Sequence, residues 1–216
     1  VSVKDYLGWS DRKKRTNIGY KAGVEFKEKV LPIDPYLFGL WLGDGTSANG
    51  NITNIDKEII DCLKTRGAKG KGITYKIPGL SLSLKGLGVL NNKHIPHGYL
   101  TGSREQRLEL LAGLLDTDGY LDGSSFQIIQ KNKAIADGIV FLARSLGMHA
   151  TLNQVQKTCT NSSRGRVTGT YWNVNISRNI WNIPTKIERK KAKKPLKPQR
   201  ENLHFGFEVI PLDEQE

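Results

Sequence analysis

Apolar and polar positions recur along this chain with a period that switches repeatedly between that of a helix and that of a strand. One helix is predicted over residues 35–43, where Asp34 and Pro35 form a typical helix start. A second helix is predicted over residues 55–66, because its apolar residues recur at helical spacing. The other elements predicted in this half are two short strands and a short helix, at residues 73–77, 80–84 and 86–90.

The same order of elements returns in the second half of the chain. A helix begins at Ser103, whose spacing to Gln106 forms a capping box, and runs to Thr117. The elements predicted after it are a strand, a helix, two longer strands and a terminal helix, at residues 126–130, 132–147, 149–157, 168–177 and 178–183. Further strands are predicted at residues 23–26 and 205–210. The repeated order predicts a pseudo-symmetric pair of α+β units.

The first helix of each unit ends in almost the same sequence. Residues 37–45 read LFGLWLGDG and residues 111–119 read LAGLLDTDG, so that Asp44 and Asp118 lie 74 residues apart at matching positions. An Asp-Gly pair after an apolar helix is often only a helix end and a turn. Its duplication with the same spacing of small residues favours a functional interpretation.

Small residues line one face of each of these helices. Gly39 and Gly43 are four apart in the first helix, and Gly113 and Thr117 hold the matching places in the second. Small side chains let two helix backbones approach closely, so we expect the two helices to pack on each other. The two terminal aspartates then lie side by side.

Two carboxylates at helix C-termini are electrostatically unfavourable, because the helix dipole is already negative there. A hard divalent cation with oxygen ligands removes the conflict. Such a cation can activate water for attack on a phosphodiester. The pair therefore predicts a metal-dependent nuclease.

The composition agrees with a nucleic-acid partner. The chain has 33 Lys and Arg against 21 Asp and Glu, a formal charge of +12. Cys62 and Cys159 lie far apart without zinc-ligand spacing, which predicts free thiols in an intracellular, reducing compartment. No apolar run reaches the length of a membrane span, so we expect no membrane association.

Basic clusters occur near both ends of the chain. One is Arg12–Arg15, and the other is the segment from Lys186 to Arg200, with eight Lys or Arg and one acidic residue. The second cluster is open to three interpretations: contact with the DNA backbone, a nuclear import signal or a solvated linker. A nuclear location is expected if the host is eukaryotic.

The two glycine-containing segments resemble the LAGLIDADG, or dodecapeptide, homing endonucleases. Asp44 and Asp118 fall at the motif position that carries the metal-binding aspartates of that family. The second segment is a nearly complete match, whereas the first has Phe38, Trp41 and Leu42-Gly43 in place of the usual residues. Segments around residues 93–96, 143–147 and both chain ends are similar to endonuclease domains found within inteins.

The resemblance implies two pseudo-symmetric αββαββα units that form a DNA-binding saddle. It also implies a monomer that hydrolyses both strands of a long double-stranded DNA site with Mg²⁺, for which Mn²⁺ can substitute. The alternative is a non-cleaving LAGLIDADG protein, either an RNA maturase or a decayed endonuclease. Val1-Ser2 and the final residues lack the groups with which inteins splice. The chain is therefore similar to an excised or free-standing endonuclease domain, and fusion to a splicing domain in its precursor is the alternative.

Individual site residues follow from the same resemblance. Metal ligands are expected at Asp44, Asp118, Gly43 and Thr117. Catalytic roles are expected for the two aspartates and for Lys93, Lys186 and Gln130. The lysines would stabilise the attacked phosphate or assist deprotonation of water, although either can also be an ordinary phosphate contact. Gln130 would organise water.

DNA contacts are expected from polar and basic side chains on the strands and in the basic clusters. In the first half these residues are Arg12, Lys13, Lys14, Arg15, Asn51, Asn54, Lys76 and Lys85. In the second half they are Arg104, Gln127, Lys131, Gln154, Gln156, Arg164, Arg166, Asn173, Asn175 and Arg178. A transcription-factor-like binder is less consistent with the sequence, which has no helix-turn-helix or zinc-finger pattern.

These features divide the chain into four parts. The predicted boundaries are a basic N-terminal extension at 1–33, a first repeat at 34–102, a second repeat at 103–185, and a basic tail with a C-terminal edge at 186–216.

Overall fold

The computed structural model describes residues 1–20, 22–162, 165–196, 204–207 and 209–210. Its α-helices are α1 (Val3–Leu7), α2 (Asp11–Thr16), α3 (Pro35–Asp44), α4 (Lys57–Thr65), α5 (Leu80–Gly86), α6 (His97–Leu100), α7 (Arg104–Asp118) and α8 (Lys133–Ser145). Its strands are β1 (Gly19–Tyr20), β2 (Asn51–Thr53), β3 (Lys69–Lys71), β4 (Thr74–Lys76), β5 (Gly119–Asp122), β6 (Ser125–Gln130), β7 (His149–Ser162), β8 (Gly165–Ser177) and β9 (His204–Phe205). Two 3₁₀ turns cover Ile180–Asn182 and Glu188–Lys190. Among the described residues, no helix has the length and hydropathy needed to cross a membrane.

The central element of the fold is the pair of helices α3 and α7, which touch through their backbones. A methyl group added at Gly39 would lie 2.5 Å from the Leu110 carbonyl oxygen and 2.9 Å from the Gly113 Cα atom. Further along, a methyl group at Gly43 would collide with the side chain of Thr117. The predicted close packing of the two helices is therefore confirmed.

Both helices end at a glycine, but not through a left-handed conformation. Gly45 and Gly119 have extended backbones, with φ of −79° and −78°. A side chain at Gly45 would collide with Trp41, and one at Gly119 would lie 2.6 Å from the Leu115 carbonyl oxygen. Glycine is required at these two positions, because the backbone that follows each helix packs against the last turn of that helix.

Each helix leads into an antiparallel sheet of its own half. The first-half sheet has the order β2-β4-β3, and the second-half sheet has the order β5-β6-β8-β7. One face of each sheet is covered by the core, through Ile52 and Tyr75 in the first and Phe126 and Val174 in the second. The opposite face, called here the outer face, carries the alternating polar residues. The predicted α+β class is confirmed, and the second-half sheet is much the larger.

Segment 80–84 was predicted as a strand, and the structure corrects this to the helix α5. Its LSLSL pattern alternates as a strand would, but Leu80 and Leu84 are buried while Leu82 is 76% exposed. Burial of residues four apart is the helical pattern. The helix predicted at 86–90 is absent from this described segment, because the chain turns at Gly88 with a φ of +67°.

Two further local predictions are corrected. Residues 23–26 form no strand; they run as an extended segment whose Val24 N–H donates to the Ser145 carbonyl at 2.8 Å. The terminal helix predicted at 178–183 is only the 3₁₀ turn Ile180–Asn182, preceded by two residues with positive φ. The strand predicted at 205–210 is limited, within its described residues, to the end of β9, which pairs with β1.

Candidate active site

Asp44 and Asp118 are the last residues of α3 and α7, and the close packing of the helices brings both carboxyl groups to one end of the pair. Asp44 is half-buried, whereas Asp118 is exposed. Burial raises the pKa of Asp44, and the nearby charge of Asp118 raises it further; the hydrogen bond from Asn54 and the charges of Lys190 and Lys93 oppose this rise. Electrostatic repulsion between the two aspartates, expected from the sequence, is therefore present.

Each aspartate accepts a hydrogen bond from a carboxamide of its own half. Asn54 Nδ2 donates to Asp44 Oδ2 at 2.6 Å, and Gln130 Nε2 donates to Asp118 Oδ2 at 2.7 Å. Gln130 therefore orients an aspartate directly. Asn54 was predicted to contact DNA, but it is 8% exposed and its amide donates to Asp44. Asn54 is the first-half counterpart of Gln130.

Two lysines cap the ends of the same helices. Lys93 Nζ donates to the carbonyls of Trp41, Leu42 and Gly45 at 2.8, 3.0 and 2.7 Å. Lys190 Nζ donates to the carbonyls of Leu115, Asp116 and Thr117 at 2.9, 2.8 and 3.1 Å. Each ammonium group thus compensates the negative end of one helix dipole.

Lys186, the lysine predicted from the sequence, does not hold the position in the second half that Lys93 holds in the first. Its Nζ lies 4.4 Å from the centre of the Tyr36 ring, in the first turn of α3, whereas Asp44 is the last residue of that helix. The 3₁₀ turn at 188–190 directs Lys190 inward instead, where it is buried. Lys93 and Lys190 are therefore the pseudo-symmetric pair.

The lysines also sit in the electrostatic field of the aspartates. Burial lowers the pKa of Lys93 to about 8, against the opposing effect of the charges of Asp118 and Asp44. Burial also lowers the pKa of Lys190, and Asp116 opposes this shift. The site therefore combines two anionic and two cationic groups in a partly desolvated environment.

The donor set fits a hard divalent cation that retains water ligands. Within the described residues, the Oδ1 atoms of Asp44 and Asp118 receive no hydrogen bond, and no group of three or more His, Cys, Asp or Glu could hold a metal. A Mg²⁺ ion commonly needs only one or two carboxylates, with waters and substrate phosphates completing its shell. The hydroxyl of Thr117 donates to the carbonyls of Gly113 and Leu114, and the Thr117 carbonyl accepts a hydrogen bond from Lys190 Nζ.

Comparison with known proteins gives a family for part of the chain. Residues 94–192 match the family model described as homing endonuclease. This range contains His94, all of α7 and Lys190. This part of the chain is similar to the homing endonuclease family. The resemblance inferred from the paired Asp-Gly segments is thereby confirmed.

Proteins to which this chain is similar include a helicase and solved structures of the homing endonuclease I-DmoI. Replicative DNA helicase DnaB of Mycobacterium intracellulare is 38% identical over 157 residues, which cover 72% of this chain. The matched part of the chain spans 25% of the length of that relative. The crystal structure of I-DmoI with DNA and Ca matches with a TM-score of 0.43, 19% identity, and coverage of 68% of this chain and 83% of that one. The corresponding I-DmoI structure with DNA and Mn matches with a TM-score of 0.41 and 17% identity, over 68% and 89%.

The outer faces of the two sheets differ in chemistry. In the first half, Asn51 and Lys76 pair across β2 and β4, and β3 adds Lys69 and Lys71. In the second half the outer face carries mainly neutral amides: Gln127, Asn153, Asn173 and Asn175. The sequence analysis missed Lys69, Lys71 and Asn153, although the period of two along each strand would have indicated them.

Other predicted DNA-contact residues are not on these outer faces. Gln154 and Gln156 have the opposite parity from Asn173 and Asn175 across the β7–β8 register, so they point to the other side of the sheet. Arg104 begins α7, about 20 Å along the helix from Asp118 at 1.5 Å per residue. The structure therefore does not bring these three residues together with the outer faces.

The remaining predicted contacts are scattered. Exposed positions near strand or helix ends hold Arg12, Lys13, Arg15, Lys85, Lys131 and Arg166, and half-buried ones hold Lys14 and Arg178. Lys85 lies on α5 rather than on a strand. Arg164 lies outside the described residues.

Asn173 differs from the other outer-face amides. Its Oδ1 atom is buried and has no hydrogen-bond partner among the described residues. An unpaired buried acceptor is unfavourable for stability, by about 1–3 kcal/mol. Such groups often have a functional reason, and here the atom lies on the face predicted to read DNA.

Proposed function

We propose that this chain is a site-specific DNA endonuclease that cuts both strands of a long double-stranded DNA site. The observation that carries the proposal is the repetition of one chemical set at the ends of two touching helices. The first set is Asp44, Asn54 and Lys93, and the second is Asp118, Gln130 and Lys190. Two equivalent sets related by a pseudo-two-fold axis would serve two scissile bonds, one in each DNA strand.

The ligands proposed for divalent metal are the carboxylates of Asp44 and Asp118 and the backbone carbonyls of Gly43 and Thr117. Mg²⁺ is the proposed cofactor, and Mn²⁺ is expected to substitute for it. Bound there, a divalent cation would supply an activated water and stabilise the charge of the leaving oxygen.

The chain's own residues orient and compensate charge. Asn54 and Gln130 each fix one carboxylate oxygen, which leaves the other free to face metal or water. Lys93 and Lys190 place a positive charge close to where the negatively charged phosphate would bind. Lys93 Nζ donates to three backbone carbonyls, so its proposed role is compensation of charge at the phosphate.

We further propose that the domain belongs to a longer, intracellular host protein and is joined there to a splicing domain. Support comes from the match to a quarter of the length of a replicative helicase. The basic surface and the single-chain pair of half-sites support a monomer as the active form.

Cleavage of a randomised duplex library tests the proposal, with Mg²⁺, with Mn²⁺ and with EDTA. Double-strand cutting that requires metal and is abolished by Asp44→Asn and by Asp118→Asn is the expected result. Asp137→Asn is the matched control, because it removes one carboxylate from an exposed ion pair on α8. Selective binding without cutting in any divalent metal would instead support a non-cleaving nucleic-acid-binding protein.

A further inference from the structure

The turn that carries Lys190 is attached to both central helices. The backbone N–H groups of Lys186 and Ile187 donate to the carboxylate of Asp116 on α7, at 2.7 and 3.3 Å. The Tyr36 hydroxyl of α3 donates to the same carboxylate at 2.7 Å. Asp116 is 1% exposed, so this anchor is inside the molecule.

The same turn is fastened to the first half by an ion pair. Arg189 Nη1 and Nη2 donate to Asp56 Oδ1 and Oδ2 at 2.7 and 3.0 Å, a bidentate arrangement. Asp56 precedes α4, yet its side chain makes no capping hydrogen bond to that helix. Its carboxylate is used by Arg189 instead, and this hydrogen bond lowers the pKa of Asp56.

Asp56 continues this connection to the first aspartate of the site. The Asp56 N–H donates to Asn54 Oδ1 at 2.7 Å, and Asn54 Nδ2 donates to Asp44 Oδ2 at 2.6 Å. The amide of Asn54 thus has its orientation fixed at both ends. A continuous path of bonds runs from the residue next to Lys190 to Asp44.

We propose that Arg189 and Asp56 are positioning residues that hold Lys190 of the second repeat and Asp44 of the first repeat in register. This inference rests on the function proposed above. The pair is partly exposed, with side-chain exposures of 62% and 21%, so its contribution to stability is small. Its effect on geometry is direct, because each partner is within two residues of a site side chain.

The two half-sites are positioned by different means. The backbone carbonyl of Lys93 accepts a hydrogen bond from Asn132 Nδ2 at 2.6 Å, and Asn132 begins α8. Lys93 is therefore independent of the Arg189–Asp56 pair. Loss of that pair should therefore slow the cutting of both strands, one through Lys190 and the other through Asn54 and Asp44, without displacing Lys93.

Strand-resolved, single-turnover cleavage at saturating enzyme tests the proposal with Asp56→Ala, Arg189→Ala and the swap Asp56→Arg/Arg189→Asp. Each single variant is expected to slow the cutting of both strands about tenfold, since displacements of about 1 Å can cost up to 10²-fold. The swap is expected to recover the rate to within about threefold, and Arg189→Lys, which keeps charge without the two-pronged geometry, to be intermediate. DNA affinity of Asp56→Ala should match that of the control Asp137→Ala, which removes the same charge from another exposed pair.

Three results would overturn the inference. They are wild-type rates in Asp56→Ala, a swap as slow as the single variants, and an Arg189→Ala variant that loses affinity but keeps its rate at saturation. The last result would make Arg189 a phosphate contact. Thermal unfolding of each variant identifies a rate loss caused by misfolding. A wild-type protein that never cuts would refute the proposed function, whereas a cutting wild type with unaffected variants would refute only this inference.

Discussion

At the scale of single residues, the contact between Gly39 and Gly113 fixes the distance between the two halves. The backbones leave no room for a methyl group, because the nearest atoms are themselves backbone atoms that cannot rotate away. Both aspartates depend on this distance, since each is the last residue of one of the two helices.

Gly39→Ala is expected to destabilise the protein by about 1–3 kcal/mol, the usual cost of overpacking. Gly86→Ala is the control, because nothing lies within 4 Å of a methyl group added there in α5. Urea unfolding of both variants measures the difference. Equal stability of the two variants would contradict the close packing of α3 and α7.

The lysines give a second prediction at this scale. Lys93→Met and Lys190→Met should each slow cutting at least about 10²-fold, the lower end of the effect of a positioned acid, base or charge. Folding should persist, as judged by circular dichroism, and DNA affinity should change little.

The Lys186→Met variant tests which lysine serves the second half-site: Lys186, as the sequence predicts, or Lys190, as the structure indicates. Because Lys186 Nζ lies over the Tyr36 ring, at the opposite end of α3 from Asp44, cutting should change by less than about threefold, well below a catalytic effect. A loss as large as that of Lys190→Met would reinstate the sequence-based assignment.

At the scale of elements, the two sheets are built for different kinds of contact. The first-half outer face offers Lys69, Lys71 and Lys76, which suit phosphates. The second-half outer face offers amides on longer strands, which suit base edges in the major groove. Affinity and sequence specificity should therefore depend on different halves.

Replacing Lys69, Lys71 and Lys76 by Gln should weaken binding to all sequences alike. The slope of log affinity against log salt should fall by about 0.9 for each phosphate that the variant no longer neutralises. Titrations at several salt concentrations, with target and random duplexes, measure both effects. Weaker binding of the target sequence alone would show that these lysines read bases.

Asn173→Ala should relax specificity at one base pair, by about 1–3 kcal/mol of discrimination. Its stability should not fall, because the substitution removes a buried acceptor without a partner among the described residues. Binding to a library of single-base variants, together with urea unfolding, checks both parts. A destabilised variant with unchanged specificity would identify Asn173 as structural.

At the scale of the whole molecule, one chain supplies both half-sites. The structure places Asp44 and Asp118 at the same end of one helix pair, so a second copy is not needed to complete the proposed site. The net charge of +12 also disfavours self-association.

A mixture of Asp44→Asn and Asp118→Asn proteins should therefore cut both strands no faster than the two variants assayed separately. Restored double-strand cutting in the mixture would show that chains exchange helices or act as dimers. Size-exclusion chromatography of the wild type, with and without DNA, provides an independent measurement.

Local pattern in the sequence was sufficient for much of this architecture. The capping residues Asp34 and Ser103, the repeated small-residue face and the two terminal aspartates were all identified from spacing. Gln130 was also placed near the site. These features depend on neighbours within a few turns, and helix and strand periods report such neighbours directly.

Tertiary structure alone decided the rest. Whether Lys186 or Lys190 reaches α7 depends on how a turn docks on Asp116, about 70 residues earlier in the chain. Asn54 donates to Asp44 across the end of α3. The LSLSL segment forms a helix, because burial against distant elements outweighs local alternation. The sequence thus determined that an aspartate ends each of the two helices, and packing between distant segments determined which side chains surround these aspartates.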